Sequence, residues 1–484
     1  MSIQLFIILV YLAVTVLIGS LAKKRLKGAA SFSGCGLGVS MCVAAGTGEW
    51  LGGTATMGVS EYGYIFGLSG AWFTVANGIG IVVLALFFAG LYRRLNVGTV
   101  PAILGRYLGQ NAQATASVFL IFVMIAVGTA QILAAGTLGV TVLDIDFSIA
   151  VIILGMAFIA YTLIGGMVAV GYTNMMHLIA MFSGVIFALL YVMKGNGGWA
   201  HMQQQLPMTY FSPTSIGLPK ISSWLIASVL GACTAQAGIQ PILAAKNETV
   251  AKKAALITAF VVAPFGVLTA LLGIASRLRF ADLPNAKLAL PALLMDLNPA
   301  IGGVILSTIL AAVLSTISLI ILASGTMFTR DIYHTFINRN ASDQKLLAVM
   351  KVSTGLSGLV CIGFAILLYG GATILDIVYF AYTLRGALFV ILLFGIYWQG
   401  TSPQGAIWAM ISTGVVGSFW IIFNKIHGTY PIHPALTETY ASVIVAGMAT
   451  FILSFFFRTR ESRHSPSSVR TRAVTIRREA ASRP

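Results

Sequence analysis

Met41-Cys42-Val43-Ala44-Ala45-Gly46-Thr47-Gly48-Glu49-Trp50-Leu51-Gly52-Gly53 is apolar enough to enter a bilayer, yet four glycines and a carboxylate interrupt it. An ordinary spanning helix carries neither at this density. The stretch therefore predicts a membrane helix that unwinds partway across. In hydrocarbon such irregular backbone is tolerated only where it lines a protein cavity. There its freed carbonyls can ligate a cation, and the ends of the two half-helices can hold a charged solute.

The rest of the chain suits that setting. Of its 484 residues 58% are hydrophobic and only 9% charged, too little polar surface to coat a soluble particle of this size. The chain reads as an all-α polytopic membrane protein of about thirteen spans, at 3–22, 34–60, 65–92, 113–142, 146–165, 168–193, 221–244, 254–276, 300–329, 346–369, 373–398, 404–424 and 438–457. Each run approaches or exceeds the roughly 20 residues that one helical crossing needs.

The net charge of +16 does not point to nucleic acid, because of where the basic residues fall. Lys23, Lys24, Arg25 and Lys27 follow the first span, Arg93, Arg94 and Arg106 the third, and Lys246, Lys252 and Lys253 the seventh. Arg330, Arg339, Lys345 and Lys351 follow the ninth, and eight arginines lie between Arg458 and Arg483. The opposite loops carry only Lys194, Lys220, Arg277, Arg279, Lys287 and Lys425. Positive loops stay inside, so the N-terminus is expected outside and the C-terminus in the cytoplasm, as an odd number of spans demands. The first segment has no basic leader and no cleavage site, and reads as a retained helix. The four cysteines lie in apolar runs without metal-ligand spacing and read as packing residues. The Arg- and Ser-rich tail, 458–484, has no apolar periodicity and is expected disordered against anionic inner-leaflet lipids.

A second interruption, Gly231-Ala232-Cys233-Thr234-Ala235-Gln236-Ala237-Gly238-Ile239-Gln240-Pro241, lies in the seventh span. It is five spans after the first. Five being odd, a repeated unit would enter the membrane inverted, the pattern of a five-plus-five inverted repeat. The organisation that follows is a first helix and basic loop (1–33), a first repeat (34–193), a second repeat (194–399), two peripheral helices (400–457) and the tail (458–484).

Several stretches together resemble the sodium/solute symporter family of sodium-coupled sugar, proline, pantothenate and monocarboxylate carriers. They are Tyr161-Thr162 with Gly165-Gly166, Ala169-Val170 and Thr173-Asn174; Gln236 with Leu243-Ala244-Ala245-Lys246; Ala311-Ala312-Val313-Leu314-Ser315-Thr316 with Thr329-Arg330-Asp331; and Leu388-Phe389-Val390 with Gly395-Ile396-Tyr397-Trp398. The resemblance runs from about residue 3 to 457. It implies a leucine-transporter-like fold and a sodium ion as coupling ion, with no organic cofactor. By position, the sodium ligands it implies are the carbonyls of Val43, Gly46 and Ala312 and the hydroxyls of Ser315 and Thr316. Neutral oxygens suit a small hard cation that must also leave. Where the sugar carriers have aromatic and amide residues this chain has Ser228, Gly231 and Ala232, which disfavours a sugar; His177 stands where the family usually has Gln.

Charge inside the membrane points to the solute. Arg385 lies mid-span, where a guanidinium costs about 2.5–3.5 kcal/mol and faces the protein interior with a partner. Glu49, Trp50, Gln236 and Arg385 are the candidate solute ligands. Arg385 could clamp a carboxylate, or it could form a structural ion pair with Glu49. With both free they would suit a zwitterion, and Glu49 could instead carry a proton. Asp144 and Asp146, two residues apart on a short outer turn, read as helix-start residues rather than a cation site. No nucleotide loop, metalloprotease motif or nucleophile elbow occurs, so a pump or an enzyme has no support. The leading expectation is a sodium-coupled symporter importing a small carboxylate-bearing solute, a monocarboxylate or amino acid, across a bacterial inner membrane by alternating access. The rivals are a solute sensor acting with a separate signalling partner, a proton-coupled carrier and, remotely, a passive channel.

Overall fold

The computed structural model describes residues 3–23, 36–195, 198–371 and 373–461. The residues expected to form a disordered basic tail fall largely outside these, as do Lys24, Arg25, Lys27 and Cys35. Among the described residues eleven helices are long and apolar enough to cross a membrane. Two further elements separate that number from the thirteen expected. The first helix, α1 (Ile3–Lys23), is apolar through Thr15. The run Thr54–Arg94, counted as one crossing, is interrupted at Gly67, whose φ of +73° is open to glycine at little cost.

The first interruption forms as expected. Helix α2 (Val39–Trp50) stops at Leu51, and a wide π turn at Thr54–Gly58 leads into α3 (Val59–Phe66). Then follow α4 (Trp72–Val83), a short α5 (Val100–Leu108) and the long α6 (Gln110–Leu143). The next helical stretch holds two spans, α7 (Phe147–Ile164) and α8 (Thr173–Gly195). The Tyr161 and Thr173 hydroxyls are 2.7 Å apart, whereas twelve residues of straight helix would rise about 18 Å, so the helical stretch bends between them. Asp146 accepts from the Ser148 N–H at 2.8 Å, the helix-start role expected of it.

The second interruption separates α9 (Leu218–Ala232) from α10 (Gln236–Leu243). The remaining long helices are α11 (Glu248–Arg279), α12 (Pro299–Met327), α13 (Asp343–Leu368), α14 (Ile374–Tyr397), α15 (Pro403–His427) and α16 (Glu438–Glu461). Burial orders them. The apolar window of α12 is 94% buried, those of α9 and α14 78%, and those of α15 and α16 only 28%, so α12 is the central post and the last two helices face the surroundings.

Candidate functional site

The two interruptions meet. An ideal Cβ on Gly238, in α10, would lie 3.1 Å from Trp50 Nε1 and 3.3 Å from Glu49 Cγ, at the end of α2. One on Gly231, near the end of α9, would lie 3.5 Å from Arg385 Cβ and 3.6 Å from its Nε. The missing side chains at these glycines give the charged pair its room. Thr234, in the second break, donates to the Arg385 carbonyl at 2.7 Å and so fixes that break to α14.

Arg385 Nη1 lies 3.5 Å from Glu49 Oε1, with both side chains at 1% exposure or less. This contact is loose beside the 2.7–2.9 Å of a good charge-assisted hydrogen bond. Glu49 Oε2 and Arg385 Nε and Nη2 make no hydrogen bond although fully buried. The guanidinium is held instead by rings: its Cζ is 3.8 Å from the Tyr382 centroid and 5.5 Å from that of Trp50. Two charges taken out of water and only partly satisfied by each other are a costly arrangement, and a ligand with complementary charge would relieve it. Gln236 takes no part in these contacts. Its Oε1 accepts from the Val100 N–H at 2.7 Å, capping the start of α5, while its Nε2 has no partner.

A second set of oxygens lies where α2 meets α12. The Thr316 hydroxyl reaches the Gly48 carbonyl, and it and the Ser315 hydroxyl each lie 3.0 Å from the Ala312 carbonyl. Beside them is a gap of about 10 Å³ lined by Thr47, Gly48, Leu51, Asn174, His177 and Ser315, among others. That volume is about one water-sized sphere. Thr47 Oγ1 and Asn174 Oδ1 are buried and unpartnered there. Ala312, Ser315 and Thr316 thus come together as the resemblance implied. On α2, however, it is Thr47 and Gly48 that line the gap, and Gly46 turns to α11, with its ideal Cβ 3.4 Å from Thr258 Oγ1. Val43 does not line it either.

Gln131 and Thr269, which the sequence reading passed over, and Asn174, which it named only within the family pattern, bond the backbone around the first break. Gln131 of α6 accepts from the Gly53 N–H at 2.7 Å and donates to Thr54 at 3.2 Å, and Thr269 of α11 donates to the Ala55 carbonyl at 2.8 Å. Asn174 donates to the Ala44 carbonyl at 3.3 Å. A lone amide in an apolar run is the one signal that could have marked Gln131. His177 is buried and bonded through Nδ1 to Tyr11 of α1 at 3.0 Å.

Both ends of the bundle are closed over the breaks. At the Arg93 end, Leu37 and the 244–246 segment exchange two backbone hydrogen bonds of 2.9 Å, and Arg93 Nε donates to the Ala245 carbonyl at 2.5 Å. Nearby, buried Asp331 accepts from Thr99 and Gln113 at 2.8 Å and from Ser117 at 2.9 Å. At the Lys220 end, Glu61 accepts from the Ile374 N–H at 3.0 Å with Lys287 3.9 Å away, and Tyr62 donates to Asp376 at 2.7 Å.

Two discontinuous helices crossing at a buried charged pair, closed at both ends, define the class of a membrane transporter. The model of the sodium:solute symporter family matches residues 32–413, and the chain belongs to that family. An osmoregulated proline transporter of Bacillus subtilis is 32% identical over 32% of this chain and 31% of its own length, so the chain aligns with about a third of that relative. A sodium/glucose cotransporter of Vibrio parahaemolyticus is 22% identical over 74% of this chain and 72% of its own. Among solved structures, a Na+-coupled sialic acid symporter in a substrate-bound outward-open state superposes with a TM-score of 0.77 at 18% identity, covering 94% of this chain and 98% of that one. The fold is therefore the leucine-transporter-like one expected, and the chain is an integral membrane protein.

Proposed function

We propose that the protein is a sodium-coupled symporter that imports a small carboxylate-bearing solute by alternating access. The observation that carries this reading is the under-satisfied pair of Glu49 and Arg385 at the crossing of the two breaks. Arg385 presents two free N–H-bearing nitrogens to a carboxylate, with Tyr382 and Trp50 as walls. Where the solute also bears an ammonium, Glu49 Oε2 receives it, which makes an amino acid the better fit of the two classes. The Vibrio relative is named for glucose and the Bacillus one for proline; the absence of aromatic and amide side chains at Ser228, Gly231 and Ala232 favours the second kind of solute.

Sodium sits in this reading among the Ser315 and Thr316 hydroxyls and the Ala312 carbonyl. The orphaned oxygens of Thr47 and Asn174 and the size of the gap fit a small cation with neutral oxygen ligands. The carbonyls of Val43 and Gly46, one turn back along α2, stay in the proposed ligand set as the family resemblance assigned them. A cation here ties α2 to α12 next to Glu49, so its binding raises solute affinity. The two inverted repeats, 34–193 and 194–399, are then the units that rock, with the N-terminus outside and the C-terminus in the cytoplasm of a bacterium.

Melting curves of the purified protein against carboxylates, amino acids and sugars, each in sodium and in potassium, test the reading. A ligand at about 100 times its dissociation constant adds roughly 2.7 kcal/mol, an easily measured shift. One solute stabilising only in sodium, with Arg385→Gln losing the solute shift and Ser315→Ala the sodium dependence, is the expected result. Equal shifts in both salts would remove sodium and favour a proton carried by Glu49. Solute binding without uptake into vesicles would identify a sensor.

A further inference from the structure

A cavity of about 690 Å³ opens at the Lys220 end, with Phe122 of α6, Phe364 of α13, Phe380 of α14 and Lys425 of α15 in its walls. No residue of α2, α3 or α12 lines it, so it is not the space between the two breaks. It lies behind α14, the helix that carries Arg385. Phe122 and Phe364 are 48% and 43% exposed, which leaves the cavity open on the side facing the surroundings of the bundle.

Four charged side chains reach this cavity, two of each sign. Lys220 and Asp376 pair at 3.4 Å, and Glu438 accepts from the Tyr430 hydroxyl at 2.7 Å. Lys425 alone has no ion pair or hydrogen bond among the described residues. The exposed Lys425 ammonium can give an acid group a charge-assisted contact beside apolar walls, which suits an amphipathic anion whose acid stays clear of the Glu438 carboxylate.

We propose that this cavity is a second binding site, separate from the Glu49–Arg385 site, which takes an amphipathic organic anion with its acid group on Lys425 and its body against Phe122, Phe364 and Phe380. Its deep wall connects it to the first site. Tyr379 stacks on Trp224 at 4.1 Å and meets Tyr382 edge-on at 5.9 Å, and Tyr382 lies over Arg385. An occupant wedged beside Phe380 holds α14 in place and slows the opening of this end without competing for solute. The acid group is supplied either by a free amphiphile or by the headgroup of an anionic lipid.

Laurate binding to the protein in phosphatidylcholine nanodiscs, read by melting curves and Trp fluorescence, tests the site, with dodecanol as the uncharged control. Laurate is expected to stabilise saturably and dodecanol not. Lys425→Gln is expected to weaken laurate binding about tenfold, the scale of one lost charge-assisted contact, and Lys425→Glu to shift the preference to dodecylamine. Ala126→Trp, which fills the cavity from α6, is expected to abolish laurate binding whatever the state of Lys425. Loss of the laurate effect in phosphatidylglycerol nanodiscs identifies the lipid headgroup as the resident occupant, and its persistence identifies a free amphiphile. Equal stabilisation by laurate and dodecanol, or parental laurate binding in the Lys425 and Ala126 variants, overturns the proposal.

Discussion

Glu49 is the residue on which the chemistry turns, and its charge can be read from stability. If it is ionised against Arg385, removing one member leaves the other buried and unpaired, which costs about 3–5 kcal/mol. Glu49→Gln alone should therefore lower unfolding stability by that amount, and Glu49→Gln with Arg385→Met should regain most of it while transport stays lost. A nearly neutral Glu49→Gln, by contrast, means that the glutamate already carries a proton, because the amide then replaces an uncharged group of the same shape. Chemical denaturation of the two variants beside the parent separates these cases. Ser315 gives an independent residue-scale expectation. Its hydroxyl lies 3.0 Å from the Ala312 carbonyl of its own helix and bonds nothing on α2, so Ser315→Ala should change stability in potassium by under about 1 kcal/mol. In uptake assays the same variant should raise the sodium concentration for half-maximal rate at least tenfold.

The broken second helix shows at the scale of an element what the sequence could and could not disclose. Its position was legible, because four glycines and a glutamate within thirteen residues are denser than an ordinary spanning helix carries, and the same held for the break before Gln236. Which way each face turns was not legible. The resemblance assigns the carbonyls of Val43 and Gly46 to the ion; the side-chain face of α2 at the gap beside Ser315 is that of Thr47 and Gly48, a register that residue types alone do not give, since one residue along a helix is a rotation of about 100°. Gln236 stands among the candidate solute ligands; its side-chain carbonyl caps α5 and its Nε2 has no partner, a division of roles that the sequence does not disclose. The roles of Gln131, Thr269 and Asn174 were not legible because the backbone groups they bond are distant in sequence. The break's own glycines allow a sharp contrast. At Gly52 a Cβ would lie 2.2 Å from Thr316 Oγ1, so Gly52→Ala should push α2 off α12 and abolish sodium-dependent stabilisation. At Gly46 it would meet Thr258 Oγ1 at 3.4 Å, so Gly46→Ala should be tolerated. Gln131→Ala, which orphans the Gly53 N–H, should cost about 1–3 kcal/mol in the same melting assay.

For the whole molecule the open matter is direction, because import requires that the two closed ends face opposite compartments in a known order. The ends differ in kind. The Arg93 end is sewn by main chain, where Leu37 bridges the end of α10, and is backed by the Asp331 cluster, whereas the Lys220 end is held mainly by side-chain contacts of Glu61, Tyr62, Lys220 and Asp376. The Lys220–Asp376 pair is exposed and separates at little cost, whereas the Arg93 end must break two main-chain hydrogen bonds and the buried Asp331 cluster, so the Lys220 end should open first. If the basic loops are cytoplasmic, that end is the outer one, and the resting protein awaits solute from outside, as an importer must. Single cysteines placed at Lys220, Lys425 and Arg339, in a protein whose four native cysteines are replaced, read the order directly; the three described native ones are buried and free. A membrane-impermeant maleimide applied to intact cells should label Lys220→Cys and Lys425→Cys and spare Arg339→Cys until the membrane is permeabilised. Labelling at Lys220→Cys should also fall when sodium and solute are both present, since the occluded complex draws Tyr62 and Asp376 over the entrance. The opposite labelling order would invert every helix in the bundle, make the main-chain clasp the outer gate, and turn the proposed importer into a protein poised to bind from the cytoplasm.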